Sequence, residues 1–143
     1  MKIAVVDGLG GGLGSQIVES LKQLLIDTVE IIALGTNSQA TSNMLGNGAS
    51  RGATGENAIC YTVMNVDIII GPIGIIIPNS MSGEITTTMA EAVVNSPAER
   101  ILLGNRQAHA KIVGMREVSL NQLLKELKEE LKNFVDDIYI KQN

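Results

Sequence analysis

The chain has 143 residues, 45% of them hydrophobic and 18% charged, with a formal net charge of −4. That is the size of one domain spanning residues 1–143, apolar enough to build a core and too apolar for disorder. The acidic balance, with aromatics confined to Tyr61, Phe134 and Tyr139, excludes a nucleic-acid binder, which needs a basic face or stacking platforms.

In chain order, strands and helices alternate. Lys2–Val6 is a short apolar run that reads as a buried strand, and the stretch Met1–Asp7 lacks the long apolar region and cleavage signature of a signal peptide. Gly14–Ile26 carries Ile17, Val18, Leu21, Leu24 and Leu25 at helical spacing. Val29–Leu34 is a β-branched second strand. Ser38–Leu45 is a short helix, capped by Asn37 or Ser38 and ended by Gly46 or Gly48. Ala49–Gly52 is a third strand, and Thr54 caps a helix over Gly55–Met64. Its Cys60 is the only cysteine, which excludes an intrachain disulfide, and it sits among apolar neighbours as a small hydrophobe.

Asp67–Ile70 is another buried strand. The longest apolar stretch, Ile68–Ile77, is broken by Gly71, Pro72 and Gly74 and falls short of the about 20 residues that span a bilayer. A soluble, cytoplasmic protein without membrane contact is expected. Thr86–Asn95 is a helix with Thr88 and Glu91 at capping-box spacing, stopped by Pro97. Arg100–Leu103 and Lys111–Met115 are the last strands. Ser119 opens the final helix with Gln122 at its third position, and its apolar stripe is Leu120, Leu123, Leu124, Leu127, Leu131 and Val135.

This alternation predicts an α/β fold: a three-layer, Rossmann-like domain with a mostly parallel sheet of five to six strands. Ile3–Val6 and Ile68–Ile70 are apolar without alternation, as strands covered on both faces are. The Gly104–Ala110 connection is shorter than the dozen or so residues of a parallel crossover. Lys111–Met115 is therefore expected to return antiparallel, as an edge strand.

The sharpest motif is Asp7-Gly8-Leu9-Gly10-Gly11-Gly12-Leu13-Gly14-Ser15, between the first strand and the first helix. Glycines there let the backbone approach a ligand, and the helix start offers N–H groups to an anion. A Walker A loop is excluded, because Gly14 is followed by Ser15 and Gln16 rather than Lys and a hydroxyl. Gly-x-Gly-x-x-Gly fails as well, since Leu13 stands at its third position.

The spacing Gly8-x-x-x-Gly12-x-Gly14 resembles the cofactor loop of short-chain dehydrogenases over the first third of the chain. That resemblance implies NAD or NADP as cofactor, with Gly8, Gly12 and Gly14 in the family's three glycine roles. Gly10, Gly11 and Leu13 complete the expected cofactor loop, and Thr36 and Asn37, with Ser38, are expected to contact the cofactor at a 2′-phosphate, where no Arg stands to neutralise it. The sequence departs from it in three ways. Asp7 replaces the usual Thr, so its carboxylate must point away, bind a ribose hydroxyl or bind a cation. The second strand ends Ala33-Leu34-Gly35-Thr36-Asn37, without the acidic residue that usually reads the ribose. The catalytic Tyr-x-x-x-Lys is missing, because Tyr61 is followed by Asn65 and Tyr139 by Asn143.

Over nearly its whole length the chain is similar to an uncharacterised bacterial family of short Rossmann-like proteins, seen mostly in Gram-positive anaerobes. The likeness rests on Val6–Gly14, Ala33–Asn37, Gly52–Ile59, Gly71–Ile77 and Asn79–Thr86. It implies the fold and a shared site, and no reaction.

Ligands of open α/β sheets bind beyond the carboxyl ends of the strands. The loops expected there hold most of the chain's 15 glycines. They also carry Glu56, Asn57, Asn79, Ser80, Ser82, Glu84, Arg106 and His109, the only histidine, so a multi-His metal site is excluded. A second reading is therefore an enzyme acting on a phosphorylated substrate through Asp7, Glu56 and Glu84. A third is a non-catalytic oligomeric module. Finally, Ile73, Ile75, Ile76, Ile77 and Met81 crowd one loop. They either tuck under the sheet edge or form an apolar patch, and the patch predicts a homodimer through these residues.

Overall fold

The computed structural model describes residues 1–24, 29–104 and 110–142, with side chains to residue 136. The strands are β1 (Lys2–Asp7), β2 (Glu30–Gly35), β3 (Arg51–Thr54), β4 (Ile68–Pro72) and β5 (Glu99–Leu103). The helices are α1 (Gly12–Leu24), α2 (Ser38–Gly46), α3 (Glu56–Thr62), α4 (Thr87–Asn95) and α5 (Leu120–Gln142). The strands form one parallel sheet in the order β3-β2-β1-β4-β5. β1 is central, with β2 on one side and β4 on the other. This is a three-layer α/β fold of the Rossmann type, in which the strand order reverses beside β1.

Strand alternation builds two cores from one sheet. Ala4 and Val6 of β1, with Ile32, Leu34 and Ile69, face α3, α4 and the segment after β4, where Ile59, Met89, Ala90 and Val93 pack. Ile3 and Val5, with Ile31, Ala33, Ile68 and Ile70, face α1, α2 and α5, where Ile17, Val18, Leu21, Met44, Leu127 and Leu131 pack. Both sides of β1 and β4 are thus apolar for a reason, and the uninterrupted hydrophobic runs follow from it.

Helix starts mostly follow the local chemistry. The Asn37 side chain caps α2 by accepting from the Ala40 amide, and Ser119 caps α5 by accepting from the Gln122 amide. Two expected caps move. α3 starts from Gly55 without a side-chain cap, so Thr54 does not serve, and α4 is capped by Thr86 rather than by a box from Thr88.

The antiparallel edge strand does not form. Lys111–Met115 ends in a turn closed by the Met115 amide on the Ile112 carbonyl, with Gly114 at φ +92. A left-handed residue breaks an extended run, and the whole segment is exposed, so no buried face holds it to the sheet. Met115 lies instead against Gly104 at the end of β5.

The isoleucine-rich loop after β4 is also corrected. Ile75 and Met81 are buried inside this chain, as is Ile85, all in the core beneath α4. Ile73, Ile76 and Ile77 are half-buried. The loop tucks under the sheet edge, so Ile75 and Met81 are not surface residues open to a second subunit. Among the described residues no helix is long and apolar enough to cross a membrane.

Candidate functional site

The site grows out of the last residue of β1. Because side chains alternate along a strand, Asp7 faces the same side as Ile3 and Val5, towards α1. Its carboxylate lies 5% exposed inside the glycine loop. One oxygen accepts from the Gly8 amide at 2.8 Å, and the other from the Gly14 amide in the first turn of α1 at 2.6 Å. Both carboxylate oxygens of Asp7 are thus engaged within the loop. Burial pushes its carboxyl above the ordinary value. The Gly14 and Gly8 amides pull the other way without cancelling that, and the neighbouring Glu84 charge adds to the rise.

The loop's glycines divide into two kinds. A Cβ on Gly14 would sit 2.8 Å from the Asp7 Cβ and 2.7 Å from the Met44 sulfur, so the clamp and the packing of α2 both need a bare backbone there. Gly11 has φ +70 and presses on the Ala40 backbone, and Gly8 is wedged against Thr36 and Met81. Gly10 and Gly12 differ. A Cβ on either would meet nothing within 4 Å, and neither has a positive φ. The fold makes no demand for glycine at these two positions.

The loop's carbonyls are tied back. The Asn37 amide donates to the Leu9 carbonyl at 2.8 Å and the Asn43 amide to the Gly10 carbonyl at 2.6 Å. Ser15 returns both its amide and its hydroxyl to the Gly11 carbonyl. The amides of Gly12 and Leu13, at the start of α1, have no acceptor among the described residues. They face outward at the positive end of a helix dipole. Asn43 escaped sequence reasoning, because on a short helix it looks like any solvated polar residue.

A second carboxylate closes the site from the far side of the sheet. Glu84, in the segment between β4 and α4, reaches over to the end of β2. Its Oε1 accepts from the Thr36 hydroxyl and the Asn37 amide, both at 2.6 Å, and from the Leu9 amide at 3.2 Å. Burial works against its charge, but the bonds from Thr36, Asn37 and Leu9 outweigh it, and its carboxyl lies below the ordinary value. The segment that delivers it is tightly made. Asn79, Met81 and Ser82 all have positive φ, and backbone bonds from Asn79 to Ile85 and from Ile85 to Ser80 hold the turn. Such strain persists only where the surroundings over-determine it, and here buried Ile75, Met81 and Ile85 supply the anchor.

Gly8, Gly10, Gly11, Gly12, Leu13, Gly14, Thr36 and Asn37 thus do gather at one point of the carboxyl edge, but the donor groups of Thr36 and Asn37 are committed within the protein. Asp7 and Glu84 are neighbours. Glu56 accepts from the Thr86 hydroxyl at 2.6 Å where α3 meets α4. The described residues contain no group of three or more His, Cys, Asp or Glu able to hold a metal ion. Arg106 and His109 lie outside the described residues. Cys60 is half-buried, with its sulfur 3.7 Å from the Thr88 carbonyl, and takes no part in the site.

No curated protein matches the sequence. Among solved structures, a dodecameric FMN-dependent UbiX-like decarboxylase from Escherichia coli O157:H7 is similar at 14% identity, covering 90% of this chain and 76% of that one, with a TM-score of 0.48. Residues 2–136, from the first residue of β1 into the last turns of α5, match a single family model, and the chain belongs to that family, Domain of unknown function (DUF3842).

Proposed function

We propose that this protein binds a nucleotide at the carboxyl edge of its sheet, a dinucleotide of the NAD or NADP type, with phosphate oxygens on the Gly12 and Leu13 amides. The observation that carries this reading is the open space at Gly10 and Gly12. Glycine costs backbone entropy, and neither packing nor dihedral angle requires it at these positions. Close approach of a ligand to the backbone does require it, beside unpaired amides and where the strand order reverses. Asp7 is compatible with a bound phosphate because its carboxylate is turned into the loop and occupied by Gly8 and Gly14. The reading assigns no reaction.

The test is thermal-shift screening with NAD, NADP, FAD, ATP, coenzyme A and S-adenosylmethionine, on wild type and on Gly12→Val. A nucleotide at a hundredfold excess over its Kd stabilises the wild type by about 2.7 kcal/mol. Gly12→Val folds, because its side chain enters open space, and loses the shift. No stabilisation by any of these compounds, or an undiminished shift in Gly12→Val, refutes the assignment.

A further inference from the structure

We propose that Glu84 reads an unphosphorylated sugar hydroxyl of the bound nucleotide, so that the site selects free-ribose ligands over their 2′-phosphorylated counterparts. This rests on the nucleotide reading above and makes it specific. β2 ends Gly35-Thr36-Asn37 and supplies no carboxylate where dinucleotide folds of this strand order use one to accept from the ribose. Glu84 brings one to the same place from a different crossover, 48 residues beyond Thr36. It bridges the two parts of the site, the end of β2 through Thr36 and Asn37 and the glycine loop through Leu9.

The distribution of its hydrogen bonds gives the chemistry. All three donors fall on Oε1, and Oε2 takes none among the described residues, although the side chain remains partly open to solvent. A carboxylate held this way accepts and does not donate, so its complement is a donor, and the donors a nucleotide's sugar offers are hydroxyls. A phosphate on that hydroxyl would bring a second anion against Glu84. Thr36 and Asn37, the donors best placed to receive such a phosphate, already point at the carboxylate. Juxtaposed like charges discriminate strongly where water is thin.

The experiment is isothermal titration of the full chain with NAD and NADP, on wild type and on Glu84→Gln, with 2′-deoxy-NAD as a third ligand for the wild type. The amide of Gln keeps a carbonyl acceptor for Thr36 and Leu9 while removing the charge. The wild type is expected to bind NAD at least about tenfold more tightly than NADP, and 2′-deoxy-NAD more weakly than NAD, with the NAD-to-NADP ratio in Glu84→Gln within about threefold of unity. A purely structural role for Glu84 would weaken both ligands together and leave the ratio unchanged. Equal wild-type affinities for NAD and NADP, or an unchanged ratio in Glu84→Gln, overturn the proposal and leave nucleotide binding standing. Should Glu84→Gln fail to fold, the three wild-type affinities decide by themselves. Binding of none of the three ligands removes this proposal, and NAD(P) as the nucleotide, together.

Discussion

Two adjacent carboxylates in this site respond to pH with opposite sign. Burial raises the Asp7 pKa above its ordinary 3.8, so its contribution to stability is complete below that value and is lost as pH rises through the folded value. Glu84 is shifted the other way from 4.5, so its contribution is complete above that value and is lost as pH falls through the folded value. Urea unfolding between about pH 3 and 6 separates them. Relative to Asp7→Asn, the wild type is expected to lose stability as pH rises across this range. Relative to Glu84→Gln, it gains. The glycines make a second residue-scale contrast. Ala at position 14 gains helix propensity of about 1 kcal/mol over Gly, but its methyl meets Asp7 and Met44 below 3 Å. Gly14→Ala is expected to be destabilised by about 1–3 kcal/mol. Gly12→Ala, at the exposed first position of α1, is expected to stay within about 0.5 kcal/mol of wild type. Equal losses in the two variants would show that the loop does not divide as described.

The element that decides the site's shape is the connection from β4 to α4. Its isoleucines look like a surface patch in one dimension, because loops normally run over the surface. In three dimensions Ile75, Met81 and Ile85 fill the space above the sheet edge, and the turn they anchor lays Glu84 across β1 onto β2. Ile75→Asp therefore buries an uncompensated carboxylate. It is expected to unfold the chain, read as lost cooperative melting, rather than to dissociate a folded assembly. Ile75→Val, which removes one methyl group, is expected to cost about 0.5–1.5 kcal/mol and to leave the fold intact. At the entry to α4, Thr86 caps the helix and bonds Glu56, so Thr86→Ala is expected to cost about 1 kcal/mol. A folded Ile75→Asp protein with wild-type stability would contradict the buried placement of the loop.

At the scale of the molecule, the parallel sheet has to be covered on both faces, and the cover comes from opposite ends of the sequence. α1 and α2 lie on the same face as α5, the last element of the chain, and Leu124, Leu127 and Leu131 of α5 are buried there. α5 is therefore part of the core and not an appendage, despite its charged outer face. Leu131→Ala, at a fully buried position, is expected to cost about 2–5 kcal/mol in chemical denaturation, comparable to a truncation within the sheet itself. A loss below about 1 kcal/mol would mean that α5 packs loosely and that the second face is covered by α1 and α2 alone.

The sequence by itself determined the alternation of strands and helices, a mostly parallel sheet, and the glycine loop between the first strand and the first helix. These are local properties: apolar runs, turn residues and crossover handedness act within about 30 residues of chain. The sequence also exposed a gap, the missing acid after β2, without being able to fill it. Only tertiary structure brought Glu84 to Thr36 and Asn37, because a segment's path over a sheet edge depends on what its apolar side chains can bury, and no periodicity encodes that. The same limit accounts for the misplaced edge strand. Lys111–Met115 has strand-like residues, but a strand needs a buried face and a partner, and Gly114 turns the chain before it can find either. Likewise Asp7 showed its charge in the sequence. Its direction followed from the alternation along β1 combined with the position of α1, and that combination exists only in the folded chain.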